Sequence, residues 1–528
     1  MARRFFALLL LCLPWLTGCS KPRAEGRADF VLINGGEAGT IDPARASSQM
    51  DGRLITAMFE GLLRFDENGE PVPGCADVPV VSQDGKEWTF TIRENARWSD
   101  GSPVTAQDFY NSWHRVTDPD LGADYASIFT MIEGGAEVIA GKAPSMTGLQ
   151  VKDARTLVIR LVNPVPYFSG LVAFMCFCPV HTAALAKHGR DYWKPEHLVG
   201  NGAYQMTEWR LNDRIRLVKS ATYWDAANVN LQTIDVLPIG NANTAINFFL
   251  TGEADLIMDK GLIPNNIADR LKTKPYFHSK PFLGTWFVRF NVTQKDKPWA
   301  DARVRRALTM VIDRERIVNV VTRLGEPAAT TMSPPGIGSY SPPKGLHRDA
   351  DEARRLLAEA GYPGGRGFPI LNYLYPSQYP TDNGIAIELQ SMWEKELGIK
   401  VALQRQEYKV YLDSQKSLDY ELSRSSWLGD YNDPNTFLDL FIGNGGNNRT
   451  GWTNAGYDQL IASAAAEPDP ATRNQMLQRA EQILVEKECP VIPVYHYVGV
   501  QFFHPDKFSG IHGNLIDEHP LRCISKKK

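Results

Sequence analysis

Excess positive charge is absent from this chain of 528 residues: 57 Lys and Arg against 60 Asp and Glu leave a net charge of −3 and a pI near 6.4. Nucleic-acid binding relies on clustered basic side chains, and this balance argues against such a partner. Cysteine is sparse. Beyond residue 19 there are Cys75, Cys176, Cys178, Cys489 and Cys523. Five is an odd number, so at least one lacks an intramolecular partner even in an oxidising compartment. Cys176-Phe-Cys178 is too cramped for an ordinary metal pair and sits in the apolar run from Leu171 to Val180, so buried core thiols are expected there. Also missing are G-x-S-x-G, H-E-x-x-H and G-x-x-x-x-G-K-[ST], the usual nucleophile, zinc and phosphate devices. No enzyme, cofactor or metal site is expected. A scattered catalytic set leaves no mark in spacing, so a peptidase stays the competing class.

Long apolar runs are confined to the first residues. Arg3 and Arg4 precede an apolar run from Phe5 to Leu16, which is too short to span a bilayer and has the build of an export signal. It ends in Leu16-Thr-Gly-Cys19, which resembles the box cut by the lipoprotein signal peptidase. Residues 1–19 are therefore expected to be a lipoprotein signal with Cys19 as the acylated residue, and 20–28 a polar tether. Two or three acyl chains anchor stably where one does not. An exported protein, lipid-anchored on the outer side of a membrane, follows. Roughly 510 remaining residues exceed one hydrophobic core, so two or three domains are expected.

The most concentrated stretch is Ser423-Arg-Ser-Ser-Trp-Leu-Gly-Asp-Tyr-Asn-Asp-Pro-Asn-Thr-Phe437. Tyr420 to Leu428 reads as a strand, ended by Gly429 and Asn432-Asp433-Pro434. Asp433 stands where an N-cap belongs, with Pro434 at the first helical position. Asp430 is then left at the strand end with no evident structural partner. A partly dehydrated carboxylate there suits an ammonium group, through a charge-assisted hydrogen bond. Arg424, six residues earlier, places an opposite charge at the other end of the strand. On spacing alone the same two residues also read as a loop aspartate and a surface cation.

Elsewhere the chain alternates strands and helices. Phe30 to Ile33, Glu87 to Ile92, Thr156 to Leu161, Ile215 to Lys219, Ile234 to Ile239, Gly284 to Asn291 and Ile399 to Leu403 read as strands. Thr105 with Asp108 gives a helix start of capping-box type. Asp301 caps a helix whose Val304, Ala307, Leu308, Val311 and Ile312 form one apolar face. Its Arg303, Arg305, Arg306, Arg314 and Arg316 are expected on the solvated side. Residues 349–360, 384–397 and 471–488 read as further helices, which indicates an α/β fold.

Trp427 followed by Asp430-Tyr-Asn-Asp-Pro434 resembles a motif of bacterial oligopeptide-binding proteins, the extracytoplasmic components of peptide ABC importers (solute-binding family 5). Thr40-Ile-Asp-Pro43, Phe59-Glu-Gly-Leu62, Trp98-Ser-Asp-Gly-Ser-Pro103 and Leu198-Val-Gly-Asn-Gly-Ala-Tyr204 are similar to other blocks of that family. The resemblance implies a two-lobed periplasmic-binding-protein-like fold with three domains. Domain I would be 29–60, 194–285 and 494–528, domain II would be 61–193 inserted in the same lobe, and domain III would be 286–493. It also implies that Asp430 binds a peptide amino terminus and that Arg424 can meet a peptide carboxylate. Ser426, Trp427 and Leu428 would pair with the peptide backbone, Ser47, Ser48 and Gln49 would form a second pairing strand, and Tyr125 would lie beside the ligand. As plain sequence, 47–49 reads equally as a solvated linker and Tyr125 as core. Family members that take longer peptides can use a histidine where an ungapped match puts Thr381, which favours short peptides here. The implied partners are short peptides and the permease and ATPase subunits of an importer, with the protein a monomer. Relatives of the same fold take murein peptides, nickel complexes, haem or oligosaccharides, and a signalling lipoprotein without a permease would carry the same motifs.

Overall fold

The computed structural model describes residues 26–264, 267–443 and 445–528. The export signal and Cys19 lie outside the described residues. A ten-stranded mixed sheet runs through the molecule. In chain order its strands are β1 (Phe30–Ile33), β2 (Tyr204–Arg210), β3 (Arg214–Lys219), β4 (Thr233–Leu237), β5 (Leu256–Ile257), β6 (Phe277–Phe290), β7 (Leu371–Pro376), β8 (Val401–Gln406), β9 (Leu422–Leu428) and β10 (Val491–Phe502). They lie side by side as β8-β7-β9-β6-β10-β5-β1-β4-β3-β2. β1 is Phe-Val-Leu-Ile, buried at every position between the parallel strands β4 and β5. A strand covered on both faces needs no polar alternation.

β6 and β10 connect two cores. They pair antiparallel from Phe277 with Phe502 to Arg289 with Val491, with irregular registers between Pro281 and Thr285 and between Trp286 and Phe287. All twelve residues of β10 are buried. One core gathers side chains between Leu283 and Tyr497. Another gathers those of residues 30–258 with Phe503 to Ile524. A small third cluster joins Val31 and Ile33 to residues 245–271 and to Val498, Val500 and Phe502. Along β10 the side chains change allegiance between Tyr497 and Val498. The segment after Glu60 adds a four-stranded antiparallel sheet (Val80–Val81, Glu87–Thr91, Thr156–Arg160, Leu149–Val151) and the helix Ala106–Thr117. Its apolar residues share a core with β1.

Several family blocks are joints. Gly202 N donates to Met58 O (2.8 Å), and the Asn201 side chain exchanges two bonds with the Glu60 backbone (2.9 and 2.8 Å). A Cβ on Gly200 would lie 2.2 Å from Met58 O, so only glycine permits that approach. Buried Asp42 takes both guanidinium nitrogens of Arg115 (2.7 Å to Oδ1), tying the Thr40–Pro43 turn to the helix Ala106–Thr117. Thr105 and Asp108 form the complete capping box at the start of that helix.

Two expectations change. In the helix Ala302–Met310 the apolar face is buried as expected, but Arg305 is buried with it, and so is Arg314 just beyond. Arg305 donates to the carbonyls of Trp299, Ala300 and Glu488 (2.9, 2.8 and 2.7 Å), and Arg314 to that of Pro493 (2.8 Å). A guanidinium is drawn inward where turns and helix ends leave carbonyls without amide donors. The tether ends before residue 28, since Ala28 is buried and Arg27 pairs with Asp255 (2.7 Å). Cys75, Cys176, Cys178 and Cys489 are buried free thiols and Cys523 is half-buried and free.

Candidate ligand-binding cleft

β9 delivers the Asp430 turn. Beyond Leu428 the amide of Gly429 donates to Leu283 O (2.7 Å), so this turn is stitched to β6. A Cβ at residue 429 would lie 2.5 Å from Leu283 Cδ2, so any larger residue would force the Leu283 side chain to move. Thr436 Oγ1 accepts from Asp430 N and from Trp427 Nε1, both at 3.2 Å, and so fixes the W-x-x-D spacing. The short helix Asn435–Leu438 starts one residue later than expected, with Pro434 in the cap position. Asp433 Oδ1 still accepts from Asn435 N (2.9 Å), but both its oxygens are gripped by Arg473 (2.8 and 2.8 Å). This pair is buried and anchors the far end of the turn.

With its neighbours so engaged, the Asp430 carboxylate has no hydrogen bond or ion pair among the described residues. Burial pushes its pKa up to about 6. It faces a cavity of about 300 Å³ whose walls come from both cores. Leu428 to Asn432 form one side. Ser47, Ser48 and Gln49, the turn around Glu70, Tyr125, Tyr167 to Met175 and Glu518 form the other. Tyr125 packs edge-on against Phe174 (5.1 Å), and burial followed by the Asp430 charge pushes its hydroxyl up to about 12. Tyr167 stacks on Tyr431 across the cleft, rings 3.8 Å apart and 6° from parallel.

Other expected site residues fall into three groups. Ser48 has an extended backbone, but Gln49 opens the helix Gln49–Met58. Ser48 caps it by accepting from Asp51 N (3.1 Å), and 47–49 pairs with no strand among the described residues. An N-terminal cap competes with a longer strand for that serine. Ser426, Trp427 and Leu428 lie on β9, paired with Trp286, Thr285 and Gly284 of β6. On its other edge β9 meets β7 only at Leu422 and Ser423. From Ser425 onward that edge has no strand partner among the described residues. Arg424 does not line the cavity. Its Nε lies 3.0 Å from Asp382 Oδ2 without hydrogen-bond alignment, and Nη1 donates to Ser426 Oγ (3.0 Å). Asp382 also accepts from Trp286 Nε1 (2.9 Å). Sequence reasoning missed Asp382, in the first turn of the helix Pro380–Leu397, as the neighbour of Arg424. Thr436 and Glu518 were missed as well. Only Thr436 lay close enough in sequence to be suspected.

The family model for bacterial extracellular solute-binding proteins, family 5 (middle region), matches residues 70–449. The chain belongs to this family. It is 38% identical over 480 residues to the periplasmic murein peptide-binding protein MppA of Escherichia coli K12, covering 89% of this chain and 88% of that one. It is 35% identical over 488 residues to the periplasmic oligopeptide-binding protein OppA of the same organism (90% and 88% covered). Among solved structures, the unliganded open form of the murein tripeptide-binding protein MppA superposes with a TM-score of 0.81 at 35% identity, covering 95% of this chain and 98% of that one. The two-lobed α/β architecture is therefore that of the family's peptide-binding proteins.

The turn's anchor gives a first expectation. Arg473→Met leaves Asp433 buried and unpaired, a cost of about 3–5 kcal/mol. Urea denaturation is expected to show a loss of that size. A loss below about 1 kcal/mol, the value of an exposed pair, would contradict the anchoring role.

Proposed function

We propose that this protein captures short peptides in the interlobe cleft and delivers them to the permease and ATPase subunits of an ABC importer. The observation that carries the reading is Asp430, a partly dehydrated carboxylate that has no partner among the described residues, at the end of a strand whose outer edge has no strand partner among them either. A peptide amino terminus supplies the missing cation. The peptide backbone adds to the outer edge of β9 at Ser426 to Leu428, with Ser47 and Ser48 opposite, so affinity comes from main-chain groups common to all peptides. Gln49 and Tyr125 then face the ligand as cavity walls. Arg424 meets a peptide carboxylate from outside the cavity, through a guanidinium nitrogen other than the buried Nε that faces Asp382. Residue 381 is threonine, so longer peptides lack a histidine there, and short peptides fit best.

The division of labour follows the two cores. Residues 29–60, 194–285 and 494–528 form domain I, 61–193 the inserted domain II, and 286–493 domain III. A ligand touching both lobes favours the closed arrangement, which a permease can read. A murein peptide is the second reading, favoured by the 38% identity to a murein peptide-binding protein. Competition between a murein tripeptide and an all-L tripeptide for the same site separates the two.

The decisive experiment is calorimetry on four combinations: wild type and Asp430→Asn, each with a free-amine and an N-acetylated tripeptide. Breaking a desolvated charge pair costs roughly 2–5 kcal/mol, on the order of thirty-fold or more in Kd. Either edit alone is expected to have that effect, and the second to add little. Equal binding by Asp430→Asn, or losses that simply add, would make Asp430 a structural loop residue.

Acidity gives an independent expectation. The ammonium binds the ionised carboxylate, and burial holds free Asp430 at about 6. Below that pH a proton must leave on binding, so the affinity of free-amine peptides should fall as pH drops, approaching about tenfold per unit. N-acetylated peptides and the Asp430→Asn variant should lack this slope. The same slope in all three would place the titrating group elsewhere.

We further propose that Cys19 is acylated and tethers the protein to a membrane. Among the described residues no helix is long and apolar enough to cross one. Labelled fatty acid is expected to enter wild type and not Cys19→Ser, and equal labelling would remove the anchor from the account.

A further inference from the structure

Every charged residue lining the cleft is acidic. Asp430, Glu70 and Glu518 line it, and among the described residues no Lys, Arg or His does. Glu70 is exposed at the mouth and screened by solvent. Glu518 is different. Its backbone is clamped, with the amide donating to Asn514 Oδ1 (3.1 Å) and the carbonyl accepting from Asn514 Nδ2 (2.7 Å). Its carboxylate has no hydrogen bond or ion pair among the described residues. The cations that act on it from a distance are committed elsewhere. Arg53 donates to Asn34 and to Met258 O (3.2 and 3.4 Å), and Arg522 to Phe65 O and to Cys523 Sγ (3.3 Å). His519 faces Gln501 and Asp517 (3.2 and 3.1 Å). Burial pushes Glu518 up to about 7 against the pull of His519, Arg53 and Arg522.

We propose that Glu518 is a specificity-determining residue that selects peptides carrying a second positive charge, a lysine or arginine side chain, besides the amino terminus held by Asp430. This inference rests on the peptide reading of the cleft. One unpaired carboxylate answers the terminal ammonium, and the second stays unanswered unless the ligand brings another cation. The same acidic wall repels ligand carboxylates, so acidic side chains are rejected by like charge, which is half of any selectivity.

The test is calorimetry on alanine-based tripeptides in which each position in turn carries lysine, acetyl-lysine or glutamate. Wild type is expected to prefer lysine over acetyl-lysine at one position by about tenfold or more. Glu518→Gln is expected to lose most of that preference while its sensitivity to N-terminal acetylation, the Asp430 signature, persists. Lysine and acetyl-lysine peptides binding wild type equally at every position would overturn the inference, and this comparison needs no variant to fold. A lysine preference that survives in Glu518→Gln would overturn it too. In both cases peptide binding itself stands. If no tripeptide binds wild type, the peptide reading falls and takes the inference with it.

Discussion

A carboxylate taken out of water without a partner is costly, and the cleft is constructed to hold one in that condition. Asp430 cannot retreat toward solvent, because the segments on either side are fixed. Gly429 is bonded to β6 with no room for a side chain, Thr436 holds the Asp430 amide, and Arg473 clamps Asp433 three residues on. The favourable binding energy is thus prepaid as local strain in solvation. A ligand cation, on the proposed reading, would recover it without any rearrangement of the turn, which is the physical meaning of preorganisation.

The same turn lies where two cores meet. β6 and β10 are the long strands that run from one core to the other, and their irregular registers fall close to the change of core. The cleft walls hang on either side of that connection, and the Tyr167–Tyr431 stack spans it. A peptide laid along the outer edge of β9 would extend the sheet of one lobe, its ends at Asp430 and Arg424 of that lobe, while its free side meets the wall of Ser47 to Gln49 and Tyr125 on the other. Binding and lobe approach are then one event, and the energy of each contributes to the other.

Much of this was legible in the sequence because it was local. The Asp430 turn, the capping box of Thr105 and Asp108, the apolar face from Val304 to Ile312 and the extent of β1 are each set by residues within a few positions of one another. What escaped was set by contacts far apart in sequence. Asp382 meets Arg424 across 42 positions, and no spacing rule connects a helix start to a strand residue in another part of the sheet. Arg305 and Arg314 defied the amphipathic pattern because they donate to distant carbonyls, those of Glu488 and Pro493. Glu518 lies beyond the last long strand and enters the cleft only because the tail folds back over the first core. Ser48 shows a local competition: the serine that reads as strand also reads as a helix cap, and the cap prevailed.

The central claim is that Asp430 receives the amino terminus of a peptide held between the lobes. A crystal structure of the protein with a bound lysine-containing tripeptide tests it most directly. The account predicts the terminal nitrogen within hydrogen-bond distance of the Asp430 carboxylate, about 2.7–3.2 Å, with the peptide backbone paired to Ser426–Leu428. A tripeptide bound with its amino terminus elsewhere, and a water or a protein group on Asp430, would contradict it.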